Sequence, residues 1–265
     1  IEGMFKNCSS LVSLDFSSFK DVKPINMSNV FFGCKSIKEI DLSYFDLTGV
    51  KQYLNVFNDC KDLESVTFGD VYDGNVYMSG SFKGCTSIES VDLSGFGTGI
   101  NLGQTFSGCT SLKTVAFPDS FDVLAINLCF LGCVSLETLD ISSFDVSQIS
   151  QMSSVFKDCV SLESLVLPSV WDTSNVTTMY NMFYNCPKLT LDCSGWDTTS
   201  LTDMTAFKVD SPDVVAPPHA EKTEIKEPTC TEQGYTIHSC SVCGYEYKDT
   251  YVAALGHTVV TDEAV

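Results

Sequence analysis

The residues best placed to do chemistry lie at the end of the chain, in His219-x10-Cys230-x9-Cys240-x2-Cys243-x13-His257. Cys240-Ser-Val-Cys243-Gly244 has the form of a zinc-knuckle turn, in which two thiolates two residues apart grip one metal and the glycine permits the turn. Cys230 and one histidine would complete a tetrahedral Cys3His set for a structural zinc. His257 is the preferred fourth ligand and His219 the alternative, while His238 falls on a probable-strand pattern. Two other readings fit the same residues, a disulfide among the three cysteines or free thiols in a small β-rich module.

The other ten cysteines lie in a repeat. Phe156-Lys-Asp-Cys-Val-Ser-Leu-Glu-Ser-Leu-Val-Leu167 reduces to F-x-x-C-x-x-L-x-x-L-x-L, and the pattern recurs around Cys8, Cys34, Cys60, Cys85, Cys109, Cys133, Cys159 and Cys186. Successive cysteines are 26, 26, 25, 24, 24, 26 and 27 residues apart, the period of a leucine-rich solenoid. Cys129 and Cys193 fall on other apolar positions of the repeat. A column of buried thiols behaving as small hydrophobes is the expected arrangement. Disulfides between neighbouring coils are the alternative, although parallel Cβ vectors give them poor geometry.

These residues must be held by short strands and turns. Ser10–Ser17 alternates inward Leu14 and Phe16 with outward Ser13, Asp15 and Ser17, the period of a half-buried strand. Between strands, Phe45-Asp46, Phe144-Asp145, Trp171-Asp172 and Trp196-Asp197 each place an aromatic inward and an Asp where it can accept from the following turn. A short helical or 3-10 turn then leads to the next Phe. Asn, Gly or Asp always precedes the repeat cysteine, as a left-handed turn requires. The expected fold is an α/β, right-handed leucine-rich-repeat-type solenoid of about eight coils over residues 1–207, with a parallel β-sheet on one side. A linker over 208–218, marked by Ser211-Pro212-Asp213 and Ala216-Pro217-Pro218, then joins it to a small β-rich Cys/His module over 219–265.

A second candidate site is the outward strand face. Asp15, Asp41, Asp92, Asp140 and Asp192 form one column, with Ser17, Ser43, Ser94, Ser142 and Ser194 two residues on; Thr67, Ala116 and Val166 interrupt it. Neighbouring carboxylates would suit a hydrated surface, bound Ca2+ or a hydroxyl-rich ligand. Asp15, Asp41, Asp92, Asp140, Asp192, Ser94 and Ser142 are therefore the candidate binding residues.

The formal charge is −19, and no arginine is present. A basic footprint for nucleic acid or an anionic membrane surface is missing. No apolar run approaches the roughly 18 residues of a membrane span. Residues 1–207 contain no histidine, so a Ser-His or Cys-His nucleophile pair cannot be built there, and no enzymatic set emerges. The chain opens within a repeat and reads as a piece of a longer protein.

Trp171-Asp-Thr-Ser-Asn-Val-Thr-Thr-Met-Tyr-Asn-Met-Phe-Tyr-Asn-Cys186 resembles the repeat of BspA-like (DUF285-type) leucine-rich surface proteins, and the resemblance covers about residues 1–207. Phe121-Asp-Val-Leu-Ala-Ile126 departs from its T-S-N core. Pro228-Thr-Cys-Thr-Glu-Gln-Gly234, Cys240–Gly244 and Ala254–His257 resemble a tandem tail module of gut-bacterial surface proteins. The resemblance implies an extracellular or bacterial cell-surface location and a non-enzymatic recognition or adhesion role toward a protein or glycan. A structural spacer, or an accessory region of a larger surface protein such as a hydrolase, is the alternative. No cofactor is expected for the solenoid.

Overall fold

The computed structural model of the chain describes residues 1–256 except Asp21, Tyr72, 219–221, Ser241 and 243–245. The chain divides into two compact units, Ile1–Pro218 and His219–Val265. The first is a solenoid whose eight repeat cysteines bound seven full turns.

The segment around each repeat Phe and Cys is a run of turns in which backbone N–H groups alternate between two destinations. In the second coil Met27, Asn29, Phe31 and Gly33 donate to the carbonyls of Gln52, Leu54, Val56 and Asn58 on the next coil, at 2.8–2.9 Å. The intervening Val30, Phe32 and Cys34 donate three residues back within their own coil, at 3.0–3.2 Å. Met152, Ser154, Phe156 and Asp158 repeat the pattern against Thr178, Tyr180, Met182 and Tyr184. In the second coil, where Ser28 N donates to Asn26 Oδ1 at 2.7 Å, every N–H of the segment is therefore satisfied without a continuous helix, in place of the expected helical turn. Among the described residues the one helix is the 3-10 turn Ser17–Phe19.

This ladder needs left-handed backbone twice per coil. One position is the residue before the cysteine, as expected, from Asn7 (φ 63°) through Gly33, Asp59 and Gly84 to Asn185 (φ 57°). The other holds Asn29, Asn55, Gly80, Gln104, Leu128, Ser154, Asn181 and Ala206. Leu128 and Ala206 adopt it against a cost of about 1–2 kcal/mol per residue.

Inside the coils, Phe31, Phe57, Phe82, Phe106, Phe130, Phe156 and Phe183 form a ladder with centroids 5.1–5.7 Å apart, mostly near parallel. All seven are buried. Beside them each repeat cysteine donates its thiol to the carbonyl of the Phe one coil earlier: Cys34 to Phe5, Cys60 to Phe31, Cys85 to Phe57 and so on to Cys186 and Phe156, at 3.0–3.2 Å. That carbonyl already accepts the N–H of its own coil's cysteine, for example Cys34 N to Phe31 O at 3.0 Å. The thiol fills the second lone pair. The described cysteines are free, with Cys8, on the first coil, exposed.

The outward strands are β1 (Glu39–Asp41), β2 (Ser65–Thr67), β4 (Ser90–Asp92), β6 (Thr114–Ala116), β8 (Thr138–Asp140), β10 (Ser164–Val166), β11 (Leu191–Asp192) and β12 (Val214–Val215). A second, four-stranded parallel sheet runs through β3 (Asn75–Tyr77), β5 (Gly99–Asn101), β7 (Phe121–Ala125) and β9 (Phe144–Asp145). The outward sheet is made of separate parallel pairs, β1 with β2, β4 with β6, β8 with β10, and β11 with β12.

Two expectations are corrected here. Ser10–Ser17 is not a strand: with a neighbouring coil on one side only, Leu11 and Leu14 stay half exposed and no ladder forms. Residues 208–215, expected as linker, pack as a further coil. Ser211 is buried, donates to the Phe183 carbonyl at 2.5 Å as a repeat cysteine would, and accepts from Cys186 N at 2.8 Å. Lys208 Nζ bonds the Val214 carbonyl, and β12 closes the ladder. The Pro and Ser signals were outweighed by Phe207 and Val214, both buried.

The second unit is a three-stranded antiparallel sheet of β13 (Lys222–Lys226), β14 (Gly234–Ser239) and β15 (Glu246–Val252), with β14 central. Among the described residues no helix is long and apolar enough to cross a membrane.

Burial raises the thiols of Cys34, Cys60, Cys85, Cys109, Cys129, Cys133, Cys159, Cys186 and Cys193, that of Cys34 to about 11 and those of Cys60, Cys109, Cys186 and Cys193 to about 12. The folded state therefore holds protons that the unfolded chain releases above its ordinary thiol pKa of about 8.5, and stability falls as pH rises through that value. Each thiol contributes up to about 1.4 kcal/mol of loss per pH unit until its folded pKa is reached. Cooperative loss of the far-ultraviolet dichroism is expected on titration above about pH 9. The same thiols should resist alkylation at pH 8 until denaturant is added; rapid labelling of the native protein at Cys109 would contradict the burial.

Candidate recognition face

The outward Asp residues are built into turns. In Asp15, Asp41, Asp92, Asp140 and Asp192, Oδ1 accepts the backbone N–H of the Ser two residues on, at 2.8–2.9 Å. Ser94 also donates its hydroxyl to Asp92 Oδ1 at 2.6 Å. Hydrogen bonds from the serines hold the carboxyls of Asp92, Asp140 and Asp192 below their ordinary range, the hydroxyl acting first and the N–H second; for Asp15 the Ser17 N–H leads. The aromatic-Asp pairs make the same turn hydrogen bond on the return path, where Asp46, Asp145, Asp172 and Asp197 accept the N–H of Thr48, Ser147, Ser174 and Thr199.

The strand pairs show an order that the interrupted column concealed. Each pair joins one Asp strand to one that lacks Asp: Asp41 faces Thr67, Asp92 faces Ala116, Asp140 faces Val166 and Asp192 faces Val215. Two residues beyond the Asp stands a serine, while two residues beyond its partner stands Gly69, Pro118, Pro168 or Pro217. The serine N–H needs an acceptor at the turn and the carboxylate supplies one; proline has no N–H and needs none. From Asp41 onward the solenoid thus alternates between two kinds of coil, while the first coil carries Asp15 and Ser17 next to Asp41 and Ser43. The signal was present in the sequence as D-x-S alternating with x-x-G/P at a two-coil period.

Spacing decides the metal question on this face. From Asp41 to Asp192 the carboxylates lie two coils apart, about 10 Å. Ca2+ ligands must converge at 2.3–2.6 Å. These four carboxylates therefore do not converge on one Ca2+, the ion weighed above as one of three options for this face, and among the described residues no group of three His, Cys, Asp or Glu side chains could hold a metal.

The tail set is also divided. Cys230 lies in the loop between β13 and β14, where its carbonyl accepts from Gly256 N at 3.1 Å. Cys240 follows the far end of β14, where Ser239 pairs with Lys222 and Glu246. Six strand residues between them span about 17 Å, whereas zinc ligands sit about 2.0–2.3 Å from the ion. Cys230 and Cys240 are thus held too far apart to share one zinc, because six of the nine residues between them form an extended strand and not a returning loop. Cys240 is buried and its sulfur accepts the Val242 N–H at 3.3 Å, while Cys230 is exposed. Cys243, His257 and His219 lie outside the described residues.

Relief on the outward face comes from the seams between strand pairs. Between β2 and β4 a cavity of about 390 Å3 is lined by Val66, Phe68, Val71, Phe96, Asp92 and Ser94, among others. A second, also about 390 Å3, lies between β6 and β8 beside Lys113, Thr114, Glu137 and Thr138. Exposed Lys38–Glu64 and Glu89–Lys113 pairs, both 2.9 Å, cross within strand pairs and contribute little stability.

Comparison with protein families agrees with this architecture. Residues 2–104 match the BspA-type leucine-rich repeat region, and residues 100–214 match a family described as a Mycoplasma protein of unknown function, DUF285. The solenoid is of the BspA leucine-rich kind. A crystal structure of a leucine-rich repeat protein from Eubacterium ventriosum is similar at 22% identity, with a TM-score of 0.48 over 73% of this chain. The match spans 48% of that protein. No curated protein matches. BspA-type repeats are in general surface-associated, adhesive or protein-binding, and non-enzymatic in kind.

Replacing Asp140 by Ala should cost roughly 0.5–1 kcal/mol in a denaturant titration, because the Ser142 N–H loses its acceptor. Asp140→Asn keeps an acceptor oxygen and should cost less; equal costs would show that the carboxylate serves no turn. In the tail, Cys230→Ser is expected to leave the metal content of the purified protein unchanged, and a loss of bound zinc would contradict the separation along β14.

Proposed function

We propose that the solenoid is a non-enzymatic extracellular recognition module that engages a protein or glycan of a host or neighbouring cell through its outward strand face. The observation that carries this reading is the two-coil order of that face. Ser and Asp side chains fixed by turns stand exposed in regular rows, with cavities opening at the seams between strand pairs. The interior offers no competing chemistry, since its thiols are buried, protonated and engaged with backbone carbonyls. Regular, outward-facing surfaces of this type are where solenoids bind partners.

The test uses the full chain carrying Asp92→Lys together with Asp140→Lys, presented to epithelial and bacterial cells beside the unaltered protein. At least a tenfold loss of cell binding is expected, with unchanged circular dichroism. Full binding by the variant would leave the strand face without a role and favour a spacer.

A further inference from the structure

The cavity at the seam between β2 and β4 differs in charge from the one between β6 and β8. The latter is lined by both Lys113 and Glu137, and its lysine is already paired with Glu89 at 2.9 Å. The former is lined by Asp92 with no basic residue, and Asp92 makes no ion pair among the described residues. Asp92 Oδ1 is occupied by the Ser94 N–H and hydroxyl, which fix the carboxylate and leave Oδ2 for a ligand. One side of the lining is apolar, where Val66, Phe68 and Val71 are half-buried and the Phe68 ring meets Phe96 edge-on at 5.0 Å, while Thr67 and Ser94 add hydroxyls.

We infer that this seam cavity receives a basic side chain of a partner protein, arginine above lysine. The inference rests on the recognition reading of the strand face and names the chemistry of one of its contacts. The alkyl stem lies along Val66 and Val71, the cationic head meets Asp92 Oδ2, and the planar guanidinium gains from the neighbouring Phe68 ring. Charge complementarity argues for a cation: the chain carries −19 and has no arginine of its own to occupy the cavity. A neutral sugar would leave the carboxylate without a counter-charge.

The test is a titration of the isotope-labelled full chain with acetyl-Gly-Arg-Gly-amide, read at the amides of Gly69, Ser94 and Gly95. Saturating shifts confined to those amides are expected. The same peptide with citrulline for arginine should bind at least tenfold more weakly. Asp92→Asn, which keeps an acceptor for Ser94 and so keeps the turn, should weaken the arginine peptide at least tenfold, while Asp140→Asn leaves it unchanged. Absence of shifts, equal binding of the citrulline peptide, or shifts from methyl β-glucoside with none from the arginine peptide would each overturn the inference. The outcomes separate it from the broader reading. Loss of cell binding in the double-lysine variant without arginine-peptide binding removes this contact alone, whereas undiminished cell binding in that variant removes the recognition face.

Discussion

The structure depends on one requirement: a chain with hardly any helix and very short strands must still satisfy its buried backbone N–H groups. It does so by sending every second N–H of the Phe–Cys segment to the next coil and closing most of the others into turns three residues back or onto side chains such as Asn26 and Asn101. That alternation fixes two left-handed positions per coil and sets the coil spacing that stacks the phenylalanines at 5.1–5.7 Å. It also leaves the Phe carbonyl with a spare lone pair in a dry interior. A thiol is small and apolar enough to be buried and still donates weakly, which explains why cysteine recurs there. Ser211, the donor to Phe183, shows that the hydrogen bond is what the position requires.

The same accounting at the outward turn produces the two kinds of coil. Where a serine stands two residues beyond the strand's last position, the Asp carboxylate there accepts its N–H; where proline stands instead, no acceptor is needed, and the Thr67 coil has Gly69 at that place. In the Asp coils the next residue, Leu42, Leu93, Ile141 or Cys193, donates to the partner strand's carbonyl at 2.8–3.0 Å and completes the pair. The Gly and Pro coils turn away at the corresponding place, and the sheet parts there. Surface relief is thus a consequence of backbone hydrogen bonding, not of a loop inserted to make a site.

The apolar repeat was legible in the sequence because its period, its Phe–Cys pair and its turn residue before cysteine are each fixed by packing or by positive φ. Less legible were features whose residue types vary. The second left-handed position carries Asn, Gly, Gln, Leu, Ser and Ala, so no residue type marks it. The final coil substitutes Ser211 for cysteine one residue late, which hid it behind linker-like prolines. The outward Asp residues were visible, but reading Thr67, Ala116 and Val166 as interruptions missed that they form the other half of an alternation. In the tail, spacing along the chain brought Cys230 and Cys240 together on paper, and an intervening strand holds them apart.

The alternation also bears on how a strongly acidic chain tolerates a column of carboxylates. Two unit charges about 5 Å apart in water repel by about 0.8 kcal/mol, and at about 10 Å by about 0.4 kcal/mol before screening. At physiological ionic strength the Debye length is about 8 Å, so the wider spacing puts successive Asp residues beyond most of each other's field. A continuous Asp column would accumulate repulsion along its whole length unless cations neutralised it. By placing Thr67, Ala116 and Val166 between successive carboxylates from Asp41 to Asp192, the chain keeps these four apart and individually hydrated. Each acidic group therefore meets the solvent, or a partner, as a separate point of attachment rather than as one shared metal site.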